Sequence, residues 1–211
     1  VYTITESWDV LDAWLEQHAP VTLEKLGPPA KPATITLAEA RIGQTVPEEL
    51  VESLRCHDGG PDLLPVGSLL SVAQIVESYE LWMENARDND LLTGIVGGQQ
   101  PWWDPQWIPF GDENGNTQII DMRPGPTHRQ LGMAYVYREG TFDDYVCWPS
   151  LPAYLAEVAT ALAAGQPVRD WKPYLFGTKR DLDANQGELT WSAGSKTKFG
   201  KRIMRPAPPR S

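Results

Sequence analysis

Cys56, His57 and Asp58 stand consecutively and supply, by type, a nucleophile, a base and an orienting acid. Consecutive side chains diverge from the backbone, whereas acyl transfer needs the three groups to converge on one reacting atom, so their adjacency argues against a triad. His18, His57 and His128 lie far apart, and none sits in an H-E-x-x-H arrangement that would mark a zinc helix. Asp112, Glu113, Asn114 and Asn116 are calcium-ligand types. Their glycine, however, comes fourth from Asp112 where the EF-hand loop wants it sixth, and no terminal Glu closes a twelve-residue loop. Asn114-Gly115 reads instead as a tight hairpin turn, which needs positive φ. The neighbouring acids Glu48/Glu49 and Asp143/Asp144 read as solvated faces, since glycosidase chemistry needs a set separation across a sugar. There is no G-x-G-x-x-G, Walker loop or nucleophile elbow, and "GIVGG" lacks the strand-loop-helix context of a cofactor loop. The residues therefore predict no catalytic group, no cofactor and no metal.

Composition favours a packed chain. Its 211 residues are 41% hydrophobic and include nine Trp, seven Tyr and four Phe, which suffices for a core in one domain with appendages or two small ones. Nineteen Pro and eighteen Gly point to many loops. No apolar run reaches the roughly 20 residues of a membrane span, and no secretory leader pattern is visible, so a cytoplasmic protein without membrane contact is expected. Cys56 and Cys147 make no disulfide framework; buried thiols and a single bridge both fit. The net charge of −10 is uneven: residues 1–164 carry 24 acidic against 8 basic side chains, and residues 165–211 carry 4 against 10. Such an acidic body repels nucleic acid and would steer a basic partner toward itself. The basic stretch "SAGSKTKFGKRIMR" has neither a phosphate-loop nor a recognition-helix pattern, and lying on the acidic body is its simplest use.

The elements follow from spacing. Trp8, Leu11, Trp14 and Leu15 mark a short amphipathic helix with Ser7 able to cap its first turn. Residues 20–35 hold too many prolines for regular structure, and Thr36 with Glu39 offers a capping box for a brief helix. A further helix opens at Pro47 and closes at Gly59-Gly60; Ser71 with Gln74 caps the next, and residues 85–105 form a long excursion. Strands are expected at "WIPF", "TQIIDM" and "LGMAYVYR", the first two joined by the Asn114-Gly115 turn, with a last helix over about 151–163 behind a Ser150 cap. Helices, an antiparallel meander and a helix make an α+β fold, the sheet covered mainly on one side. Beyond 165 only a segment anchored by Trp171, Tyr174, Leu175 and Phe176 and a few short strands are legible, and the last residues, "RPAPPRS", should be extended and mobile.

Three separated blocks occur in one order: Val46, Pro47, Leu50, Asp58 and Gly59; Trp107, Pro109, Phe110, Gly115, Asn116 and Asp121; Trp148, Leu151 and Leu155. In this the chain resembles the SMI1/KNR4 family of the SUKH superfamily, over roughly residues 35–164. His57, where a small or Asn-like residue is more usual, and the length of the 85–105 excursion depart from the pattern. The resemblance implies three parts: an N-terminal helix and Pro-rich connection (1–34), the family domain (35–164) and a basic C-terminal extension (165–211). It also implies protein binding rather than catalysis. Bacterial members are associated with immunity to polymorphic toxins, and fungal ones with cell-wall synthesis and signalling. The leading expectation is a bacterial immunity protein that neutralises a toxin, a nuclease for instance, by direct binding. A regulatory or scaffolding module in wall or signalling processes is the alternative, and an enzyme with an unadvertised site a third. Trp102, Trp103, Asp104, Asp112, Glu113, Asp143 and Asp144 are the expected binding residues, as aromatic anchors among acids. Pro47, Gly59, Trp107, Gly115, Asp121 and Trp148 are the expected structural ones, with Asp121 orienting backbone or polar donors.

Overall fold

The computed structural model describes residues 2–61, 63–92, 100–143 and 146–210. Helix α1 (Ile4–His18) buries Trp8, Leu11, Trp14 and Leu15 along one stripe. Its cap is Thr3, not Ser7: the Thr3 hydroxyl accepts from the Glu6 amide while the Glu6 carboxylate accepts from the Thr3 amide at 2.8 Å. Ser7 lies inside the helix and donates to the Thr3 carbonyl. The proline-rich stretch is more regular than its composition suggests, because Pro20 and Pro32 each occupy a first helical turn, where the missing N–H costs nothing. They open α2 (Pro20–Glu24) and α3 (Pro32–Ile42). Thr36 is thereby interior to α3, and Glu39 accepts from the Val46 amide at 3.0 Å instead of closing a box. Pro47 caps α4 (Glu48–Cys56), and Ser71 with Gln74 forms the expected reciprocal cap of α5 (Val72–Asp88).

The first sheet has five antiparallel strands in sequence order: β1 (Ser68–Leu69), β2 (Trp107–Glu113), β3 (Asn116–Asp121), β4 (Leu131–Tyr135) and β5 (Arg138–Thr141). Asn114 and Gly115, at φ 54° and 90°, make the β2–β3 turn that their sequence predicted. The run "LGMAYVYR" is not one strand; it folds back at Val136 and Tyr137 to give β4 and β5. Helix α6 (Leu151–Ala164) starts at a Ser150 cap and packs against α1.

The basic extension is the largest departure from expectation. It forms β6 (Lys172–Thr178), α7 (Lys179–Asp183), β7 (Glu188–Ser192), β8 (Lys198–Phe199) and β9 (Arg202–Pro206), a second antiparallel sheet in the order β7-β6-β9-β8. This sheet shares the first one's core: Val168, Leu175, Leu189, Trp191 and Ala207 join the same buried cluster as α1 and α6. The Trp191 indole donates to the Leu63 carbonyl at 2.8 Å and the Leu189 amide to the Thr22 hydroxyl at 2.8 Å. The tail is extended but docked, with the Trp14 indole donating to the Pro208 carbonyl at 3.0 Å and the Arg210 amide to the Ala163 carbonyl at 2.9 Å. Cys56 and Cys147 are free thiols, so no bridge forms. Among the described residues no helix is long and apolar enough to cross a membrane.

Candidate functional site

The Cys56-His57-Asp58 run is taken apart by the fold. Asp58 turns to α5, where a carboxylate oxygen accepts from the Val72 amide at 2.6 Å. His57 faces α1, its Nε2 lying 3.0 Å from both oxygens of Asp12, while Nδ1 lies 3.1 Å from the Gly27 carbonyl and the ring tilts against Trp8. A carbonyl and a carboxylate only accept hydrogen bonds, so this setting favours the doubly protonated imidazolium. Burial works against that charge, but the hydrogen bond and charge of Asp12 with the Gly27 carbonyl outweigh it, and the His57 pKa lies above its ordinary value. Burial, reinforced by Asp12, Glu52 and Asp9, pushes the Cys56 thiol pKa up and away from nucleophilic use.

The expected binding residues separate. Trp103 is 1% exposed, stacked on Trp82 at 5.3 Å and edge-on to Trp107 at 5.8 Å, so it offers no surface to a partner. Trp102, half-buried, lies 4.6 Å from Trp82 and donates its indole N–H to the Val136 carbonyl. Asp104 accepts from the Gln106 amide at 2.8 Å and stands 3.9 Å from Arg123. Asp112 and Glu113 are at the other end of β2, roughly 20 Å away along a strand of this length. Asp143 is exposed and follows Phe142, whose ring meets that of Trp107; Asp144 lies outside the described residues. Among the described residues, therefore, these side chains do not assemble one continuous acidic and aromatic face.

The structural residues have clear surroundings. Trp107 and Asp121 are paired across β2 and β3, and both are fully buried. Asp121 accepts from the Arg123 amide and guanidinium and, at 2.7 Å, from the Thr127 hydroxyl. Arg123, unforeseen in the sequence, also lies over the Trp107 and Phe142 rings, 5.1 and 5.7 Å from their centroids. Burial opposes its charge, yet Asp121 and Asp104 hold its pKa above the ordinary arginine value. Trp148 stacks on Tyr154 at 3.8 Å, donates to Glu157 at 2.7 Å and is covered by Arg169. Pro47 caps α4, and the Gly59 carbonyl accepts from the Gly27 amide at 2.8 Å.

One concavity brings predicted acids together with residues that the sequence left aside. A cleft of about 280 Å³ lies between the sheets, with Asp112, Glu113 and Asn114 of the hairpin on one side and Trp171, Thr190 and Trp191 of the second sheet region on the other. The sequence marks Trp171 only as an anchor, and for Trp191 the usable signal is its alternation with Leu189, which suits a strand. Among the described residues, no group of three or more His, Cys, Asp or Glu is placed to hold a metal ion.

Comparison with known proteins supplies the biological setting. A family profile described as the SMI1 / KNR4 family (SUKH-1) matches residues 29–157. The chain is 28% identical to a cell wall biosynthesis/cell cycle regulator of Schizosaccharomyces pombe, an alignment covering 97% of this chain and 47% of that protein. It is 24% identical to a glucan synthesis regulatory protein of Neurospora crassa, over 77% of this chain and 39% of the relative. A cell wall assembly regulator of Saccharomyces cerevisiae is 23% identical over 88% of this chain and 44% of its own length. The chain thus spans less than half the length of these relatives. The family profile, at residues 29–157, agrees with the 35–164 expected for the resemblance, while the alignment over 97% of the chain reaches into the second sheet as well. These relatives are fungal and named as regulators of the cell wall or of glucan synthesis, which overturns the bacterial immunity role and the toxin partner expected above. The expectation failed because acidic charge and exposed aromatics describe a binding protein of either lineage equally well.

Proposed function

The chain belongs to the SMI1/KNR4 family, and from that membership we propose that it is a non-catalytic regulatory module of cell-wall glucan synthesis, acting in the cytosol by binding another protein. The observation that carries this reading is the breadth of its likeness to proteins named as regulators of wall and glucan synthesis, up to 97% of the chain. The side-chain chemistry supports it. The groups that looked catalytic hold elements together: His57 joins α4 to α1, Asp58 caps α5, and Asp121 locks Arg123. Two free thiols, Cys56 and Cys147, suit a reducing compartment.

A chimera tests the proposal. In Schizosaccharomyces pombe, this chain would replace the matching segment of the regulator to which it aligns, with glucan content and survival of wall-digesting enzymes as the readouts. Restoration of both relative to a strain lacking the segment is the expected result. A chimera present at normal level, folded and without effect on either would overturn the reading.

A further inference from the structure

The cleft between the sheets has walls set before any partner arrives. Trp191 is fixed by its hydrogen bond to Leu63, and Asp112 is paired with Ser68 of β1. Gly67, at φ 78°, lets the preceding loop lie directly on the Asp112 carbonyl, where a Cβ would collide. Glu113 is turned by the Asn114-Gly115 corner and accepts from the Asn114 and Asn116 side-chain amides at 3.1 and 3.4 Å. Among the described residues neither Asp112 nor Glu113 has an ion pair, and no basic side chain lines the cleft.

Elsewhere the chain meets the same combination of ring and carboxylate with its own arginine. Arg123 lies over Trp107 and bonds to Asp121. Arg169 lies 3.9 Å over Trp148, but donates to the Cys147 carbonyl, the nearby Glu157 carboxylate being taken by the indole. Arg202 lies 3.9 Å over Phe176 and pairs with Glu188 at 3.4 Å. A planar guanidinium suits such places because it stacks on a ring while donating in its plane to a carboxylate. The cleft sets two indoles and two carboxylates beside the Ser68 and Thr190 hydroxyls, with charge of one sign only. At about 280 Å³ it falls just below the roughly 300 Å³ at which sites for whole small molecules begin, so it fits one long side chain.

We propose that this cleft receives an arginine side chain of the protein partner, its guanidinium set between the carboxylates of Asp112 and Glu113 and the rings of Trp171 and Trp191. The inference rests on the protein-binding reading above and names the chemistry that the partner must present.

The probe is the capped tripeptide Gly-Arg-Gly, against the same peptide with neutral citrulline in place of arginine, titrated into the isotopically labelled full chain while the indole N–H resonances are followed. The arginine peptide should shift the Trp171 and Trp191 signals. Citrulline, and the double variant Asp112→Asn/Glu113→Gln with the arginine peptide, should each bind about tenfold more weakly or worse, the loss expected for a charge-assisted contact. Equal binding of the two peptides, undiminished binding by the variant, or no shift at either indole would overturn the proposal. The yeast chimera separates this failure from that of the functional reading. A double variant that sustains the wall as well as the unaltered chain removes the arginine cleft and leaves the regulator standing, whereas failure of the unaltered chain removes the regulator whatever the peptide does.

Discussion

The Arg123 guanidinium forks onto Asp121, Nε donating to one carboxylate oxygen at 2.9 Å and Nη2 to the other at 2.8 Å, while the carboxylate is wholly out of contact with water. Removing one member of such a pair leaves an uncompensated buried charge. Asp121→Ala should therefore cost about 3–5 kcal/mol of folding stability. Its urea midpoint would fall well below that of the unaltered chain; an unchanged midpoint would show that the pair does not hold β3 to the segment after it.

His57 gives stability a pH dependence of definite sign. Its folded pKa lies above the ordinary 6.5, so the contribution is complete below that value and is lost as pH rises through the folded one. His18 works in the other direction, because burial lowers its pKa and its contribution fades as pH falls below 6.5. The difference in melting temperature between the unaltered chain and His57→Gln isolates the first effect. It should be largest below pH 6.5 and shrink as pH rises above that value, and on the order of 1 kcal/mol is at stake because Asp12 is partly open to solvent. A difference that grows with pH would reverse the assignment.

Two glycines with positive φ should differ when changed to alanine. At Gly115 a Cβ meets nothing within 4 Å, so only backbone strain is added, about 1 kcal/mol. At Gly67 the same strain comes with a clash against the Asp112 backbone, and the loss should reach roughly 2–4 kcal/mol and disturb the β1–β2 pairing. Equal losses in chemical denaturation would contradict the close approach at Gly67.

How much of this was legible in the sequence depended on how local the deciding interaction is. The Asn114-Gly115 corner, the Ser71/Gln74 cap and the Ser150 cap of α6 are fixed by residues a few positions apart and are legible in the sequence. Ser7 and Thr36 were misread as caps because earlier residues, Thr3 and Pro32, start those helices one turn or so sooner. The second sheet was missed because β6 is central and takes β7 on one side and β9 on the other, a pairing that no short window contains. At the candidate site, residue type gave Asp112 and Glu113, but only tertiary contact brings Trp171 and Trp191 to them. Neighbouring Trp102 and Trp103 differ in exposure because the packing of Trp82 and Trp107 around them decides which ring is enclosed.

Deleting residues 207–211 should weaken the whole fold rather than trim a loose end. It removes buried Ala207 and the Pro208 carbonyl that accepts from the fully buried Trp14 indole, and leaves that N–H without its partner. A loss of about 2–3 kcal/mol is expected, read as a lower melting temperature. Faster amide exchange across α1 should accompany it; unchanged exchange there would show that the tail does not support the helix.

The hydrogen bond between Trp14 and Pro208 joins positions 194 residues apart. During translation α1 leaves the ribosome 194 residues before the Pro208 carbonyl, and over that interval the Trp14 indole has no native acceptor. The helix is thus completed long after it is made, and a nascent chain halted before β9 would have α4 and α6 on α1 but would leave its Trp14 end uncovered for whatever chaperone attends it.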